Sequence, residues 1–154
     1  MKVFYSRIDK ILTGDSRLRK LVDYSQNKEV PIGKEGLQAG VSGMTIRRGF
    51  STEGNWKRLV TYYFQPDYLV QDFSPNIRGI PLVVAIFDRD DDLNMDDIKN
   101  RVITLLDGAD LSVANEAHCY GVSYAGEIGA PAYNASIKSY QSSIRFIVTA
   151  RKEQ

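Results

Sequence analysis

A chain of 154 residues fits one domain with one core, and 43% hydrophobic, 25% charged and 10% aromatic residues exclude the disordered, collagen-like and fibrous classes. Twenty basic against nineteen acidic side chains give a formal net charge of +1, which argues against a dedicated nucleic-acid binder with a strongly basic surface. One cysteine, Cys119, excludes an intrachain disulfide and a multi-cysteine zinc site.

The opening residues show no signal-peptide pattern, because Ser6, Arg7, Asp9 and Lys10 follow Met1–Tyr5 at once. No apolar run approaches the roughly 18 residues of a membrane span. The expectation is a soluble protein with no membrane partner. Charge is uneven along the chain: residues 1–60 carry twelve basic and six acidic side chains, and residues 61–110 carry four and ten. Ordinary surface variation accounts for such a pattern. A positive flank and a negative flank able to attract copies head to tail account for it as well.

Val3, Phe4, Ile8, Ile11 and Leu12 recur at helical spacing and predict a first helix ending near Gly14. Asp15 caps a second, short helix with Leu18, Leu21 and Val22 as its apolar stripe. From residue 33 to residue 54 six glycines interrupt short apolar pieces, which predicts a long mobile loop carrying Lys34, Arg47 and Arg48; a plain surface hairpin with Val41 to Ile46 as one strand is the alternative. Lys57 to Phe64 is rich in β-branched and aromatic residues and predicts a strand that Pro66 bends or places at an edge. Tyr68, Leu69 and Val70 continue the sheet, and Ser74-Pro75-Asn76 turns the chain into Ile80 to Phe87, the most apolar run and the expected central strand.

Asn94 is the expected cap of a third helix, with Asp96 and Asp97 complementing its dipole, Ile98, Val102, Ile103, Leu105 and Leu106 on its buried face and Gly108 ending it. A short strand is expected over Cys119 to Tyr124, then a second loop marked by Gly126, Gly129, Ala130 and Pro131, then a final strand from Ser136 to Arg151 with alternating apolar and polar faces. The fold class is α+β: a mainly antiparallel sheet packed against two or three helices, with a long Gly-rich loop, in one domain over residues 1–154.

The chemistry in these residues is sparse. Asp88, Asp90 and Asp92 match the first ligand positions of an EF-hand loop, but Leu93 stands where its glycine is needed and Lys99 where its bidentate glutamate is needed. His118 and Cys119 are neighbours, and neighbours on a strand point to opposite faces. No phosphate-binding loop, dinucleotide fingerprint or nucleophile elbow occurs. The expectation is a non-enzymatic protein with no cofactor and no metal.

The order of elements, and above all Val83 to Asp90 followed by Ile98 to Asp107 and then Tyr140 to Thr149, resembles the tail terminator and tail-to-head joining (tail completion) proteins of long-tailed bacteriophages. Residues 33–56 depart from the shorter versions of that family. The resemblance implies a structural virion protein, assembled in the host cytoplasm as a hexameric ring. Such a ring caps the tail tube, stops its polymerisation and docks to the head connector, with DNA only as cargo passing through the channel. Its partners are then itself, the tail tube protein and the head connector protein. Lys34, Arg47, Arg48, Asp90, Asp91 and Asp92 are the expected subunit-interface or channel residues. A head-tail connector adaptor or a tube subunit is the alternative within that setting. Outside it stands a small cytosolic ligand-binding domain, its pocket lined by Trp56, Tyr62, Tyr63 and Phe64.

Overall fold

The computed structural model describes residues 2–24, 44–65, 71–74, 76–90, 93–114 and 117–151. Apolar side chains at helical spacing build α1 (Lys2–Thr13), which buries Phe4, Ile8 and Leu12. In α2 (Ser16–Leu21) Leu18 is buried, and the carboxylate of Asp15 accepts from the Leu18 amide at 2.9 Å, the capping expected from the sequence. Among the described residues six strands form one sheet: β1 (Ile46–Arg48), β2 (Arg58–Phe64), β3 (Gln71–Ser74), β4 (Ile77–Asp88), β5 (Cys119–Asn134) and β6 (Ser139–Arg151). Their order is β1-β2-β4-β6-β5, with β3 also pairing β4. β1 runs parallel to β2 and every other pair is antiparallel. The fold is therefore the expected α+β arrangement.

Register and alternation put Val60, Tyr62 and Phe64 of β2, Ile80, Leu82, Val84 and Ile86 of β4, and Ile144, Phe146 and Val148 of β6 on one face. That face packs in one core with α1, α2 and α3 (Leu93–Leu106), the last through Met95, Ile98, Val102 and Leu106. Each such side chain contributes about 1.5–3 kcal/mol on leaving water. The opposite face carries a smaller cluster of Trp56, Leu59, Ala85 and Phe87, with Ile137 against it.

β4 is the central strand that its apolar run implies. Pro81 sits where β4 passes from β2 to β3: its carbonyl accepts from the Gln65 amide at 2.9 Å just past the last β2 pair, Phe64 with Leu82. A residue's N–H and C=O point the same way in an antiparallel ladder, so the missing N–H falls at the end of β2.

Residues 33–43 of the Gly-rich segment lie outside the described residues, as do Tyr68, Leu69 and Val70. Elsewhere four expectations are revised. Residues 44–54 include β1, which meets the alternative strand, Val41 to Ile46, only at Ile46 and otherwise falls in the expected loop; Thr45 and Ile46 are buried there. α3 begins at Leu93, so Asn94 lies in its first turn instead of before it; Gly108 at φ +80° ends the helix region as expected. The largest revision is β5, which runs on through the expected second loop to Asn134. Its ladder with β6 shifts register between Cys119 and Gly121, Tyr124 and Glu127, and Ile128 and Ala132. Gly126 (φ +102°) and Gly129 (φ +69°) fall within or beside these irregularities, so the glycines bulge the strand without ending it. Pro131 is tolerated because β5 is an edge and its ladder is already interrupted there. β6 accordingly starts at Ser139, after a turn in which the Asn134 side chain accepts from the Ser136 amide at 3.1 Å.

Candidate functional site

Among the described residues, Cys119 and His118 are not placed as a nucleophile and its base. Cys119 is buried with its amide bonded to the Ser112 hydroxyl at 2.8 Å, while His118 is exposed and packs edge-on against Tyr120. Among the described residues no group of three or more His, Cys, Asp and Glu is placed to hold a metal ion. The four aromatics proposed to line one pocket divide between the two faces of the sheet. Tyr62 and Phe64 are core residues under the helices, Trp56 belongs to the cluster on the other face, and Tyr63 lies beneath the Phe50 ring at 4.2 Å. An open cleft of about 370 Å³ between α2 and α3 is lined instead by Arg17, Leu21, Asp97, Asn100, Arg101 and Thr104. Arg101 in its wall is held by Asp15, one of its two bonds measuring 2.9 Å, and this pair depresses the Asp15 carboxyl.

The charged residues singled out by sequence occupy separate places. Arg47 is half-buried, and its guanidinium donates to the carbonyls of Met44, Ser51 (3.3 Å) and Glu53 (2.6 Å), curling residues 49–53 back on β1. Burial pulls its pKa below the ordinary arginine value. Arg48 is exposed, with its guanidinium carbon 4.7 Å from the centre of the Tyr5 ring. Asp90 meets Lys57 at 2.8 Å and Arg58 at 3.9 Å, and Arg58 also reaches the fully buried Asp88 at 3.3 Å. The hydrogen bond to Asp90 raises the pKa of Lys57. The basic first third and the acidic middle of the chain thus meet partly within the one chain. Lys34, Asp91 and Asp92 lie outside the described residues.

Sequence reasoning missed the residues that shape the surface. The guanidinium carbon of Arg89 sits over the Trp56 ring, 3.8 Å from its centre, and the side chain donates to the carbonyls of Gly54, Trp56 and Ile137, each at 3.1 Å. It thereby ties the segment after β1 to the β5–β6 turn. Lys99 of α3 is buried and reaches Glu127 of β5 at 2.7 Å and Asp96 at 3.4 Å. Burial works to lower its pKa, but the two carboxylates outweigh it and keep the amine charged. Beyond this tie β5 is exposed from Ser123 to Tyr133, apart from half-buried Gly126, and shows Tyr120, Tyr124, Ile128 and Tyr133 to solvent. The signal was present as regularly spaced aromatic and aliphatic residues, but the glycines between them read as a loop.

No protein-family model matches the sequence, and no curated protein matches it. Among solved structures, the chain is similar in fold to one described as the virion of a native gene transfer agent particle, with a TM-score of 0.64 and 13% identity over 94% of this chain and 92% of that one.

Proposed function

We propose that this chain is a structural protein of a phage-like virion that assembles as a hexameric ring, caps the tail tube and joins it to the head connector. The observation that carries the reading is the end-to-end likeness to a chain of a virion particle, which spans nearly all of both chains. The resemblance of Val83 to Asp90, Ile98 to Asp107 and Tyr140 to Thr149 to tail terminators supplies the finer role. A long exposed edge strand supports it physically, since unpaired edges are either protected or used for association. In this reading exposed Arg48 and Asp90 are charged groups of the subunit contacts, together with Arg47 beside them, and Lys34, Asp91 and Asp92 complete the interface or face the channel. DNA is cargo only.

The test is native mass measurement of the purified protein and electron microscopy of a mixture with isolated tail tubes. Rings of six subunits closing tube ends are the expected result. Monomers that leave tube ends bare overturn it, and rings that bind connectors while ignoring tubes assign the adaptor role instead.

A further inference from the structure

Among the described residues five large hydrophobic side chains are strongly exposed: Phe50 (73%), Tyr133 (55%), Tyr120 (51%), Ile128 (37%) and Tyr124 (36%). Four of them lie on β5 and the fifth follows β1, stacked on Tyr63 of β2. Because β1 and β5 are the two ends of the strand order, Phe50 and the β5 group sit toward opposite ends of the sheet; the β5 group is spread along its edge, with Tyr124 opposite Phe146 on the helix side and Ile128 opposite Ser143 on the other. Residue types of this size in two separated patches are the pattern of a heterologous contact, in which one surface of a copy meets a different surface of the next.

Charge selects the same arrangement. β5 carries one charged residue in sixteen, Glu127, where edge strands usually carry several. β1 carries the adjacent cations Arg47 and Arg48. Joining two β1 ends would set cations against cations and leave β5 bare. Joining two β5 edges would set Glu127 against Glu127 and leave Phe50 bare. Joining unlike ends lets each contact cover Phe50 and the part of β5 it meets, and brings Arg48 toward an edge where two carboxylates, Glu127 and Asp96, share Lys99.

We infer that the β5 edge of one copy receives the Phe50 corner of the next copy, and that repetition of this contact closes the ring. The inference rests on the ring reading above and names its interface. Phe50→Lys damages one half of the contact and Ile128→Lys the other, and both positions are exposed enough for the subunit to fold, which circular dichroism and a thermal melt check. Each variant alone should lose the ring mass and the capped tube ends. Mixed in equal amounts, they should form dimers and stop there, because the intact β5 of the Phe50 variant meets the intact Phe50 corner of the Ile128 variant while both outer ends are blocked. Rings that survive either substitution, or a mixture of folded variants that stays monomeric, overturn this contact and leave the ring reading standing. Absence of wild-type rings, both free and on tubes, overturns the ring reading itself.

Discussion

β4 and β5 both run beside β6, over 12 and 16 residues. Every residue of β4 from Gly79 to Asp88 is buried, whereas none of β5 from Ser123 to Tyr133 is. Both make extensive ladders with the same neighbour, so backbone pairing is not what separates them. What separates them is the second layer: β4 has strands on both sides, helices over one face and the Trp56 cluster on the other, whereas β5, past the buried Cys119 and Val122, has among the described residues one neighbouring strand and the reach of Lys99. Pairing makes a strand, and covering layers make it core.

The sharpest way to break that comparison is to remove the same chemistry from both strands. Leu82 is fully buried between Phe64 and Phe146, so Leu82→Ala should lower the unfolding free energy by about 2–5 kcal/mol. Ile128→Ala, at an exposed position, should stay within about 0.5 kcal/mol. Urea denaturation of the two variants measures both. Equal losses would mean that β5 is core in the working molecule.

The same contrast explains what the sequence made legible. Apolar spacing gave α1, α2, α3, β2 and β4 close to their observed limits, because each buries a stripe against the others and the stripe is written in residue type. Asp15 was readable as a cap because capping is a local bond between neighbours. β5 was not readable beyond Tyr124, since Gly126, Gly129 and Pro131 signal a turn unless a partner ladder absorbs them as bulges, and β6 as that partner is a long-range fact. Arg89 and Lys99 escaped for the same reason: Gly54, Trp56 and Ile137, which hold the first, and Glu127, which meets the second, lie 28 to 48 residues away along the chain. The candidate surface was therefore half visible, as charges whose cancellation by Lys57 and Arg58 only the fold reveals.

A smaller effect is expected where β5 turns into β6. Arg89→Ala removes three charge-assisted hydrogen bonds and the contact with the Trp56 ring, and should cost about 2 kcal/mol. Trp56 is the chain's one tryptophan and is 2% exposed, so its emission should shift to the red as residues 49–57 lift from the sheet. Arg89→Lys should restore little, because one ammonium does not reproduce the planar fork. An unshifted emission maximum would show that the clamp is not what holds the segment.

On the helix side of the sheet the expected change is smaller again and depends on pH. Asp15 caps α2 and pairs with Arg101 of α3, and the pair lowers its pKa. A carboxyl depressed in the folded state contributes stability above its ordinary value near 4, and that contribution disappears as pH falls through the lower folded value. Asp15→Asn keeps a capping side chain while removing the charge. It should cost less than Asp15→Ala, which should lose about 1 kcal/mol at neutral pH, and it should flatten the acid limb of the stability profile below about pH 4. An acid limb unchanged in Asp15→Asn would assign it to other carboxylates.

The smallest change in global stability is expected at the tie between the helix layer and the edge. Lys99→Met keeps the apolar stem in its buried place and removes the amine. Neither partner is stranded by this, since the side chains of Glu127 and Asp96 are 43% and 80% exposed and water replaces the lost contact. Exchange of an ion pair for a well-packed apolar side chain is often close to neutral, so the unfolding free energy should move by less than about 1 kcal/mol. The local effect should be larger than the global one. With Glu127 released beside the irregularity after Tyr124, amide hydrogen exchange should quicken over residues 125–128 while β4 keeps its protection. If β4 and β5 quicken together, the edge strand opens only with the whole sheet, and the separation between covered core and adaptable edge is wrong.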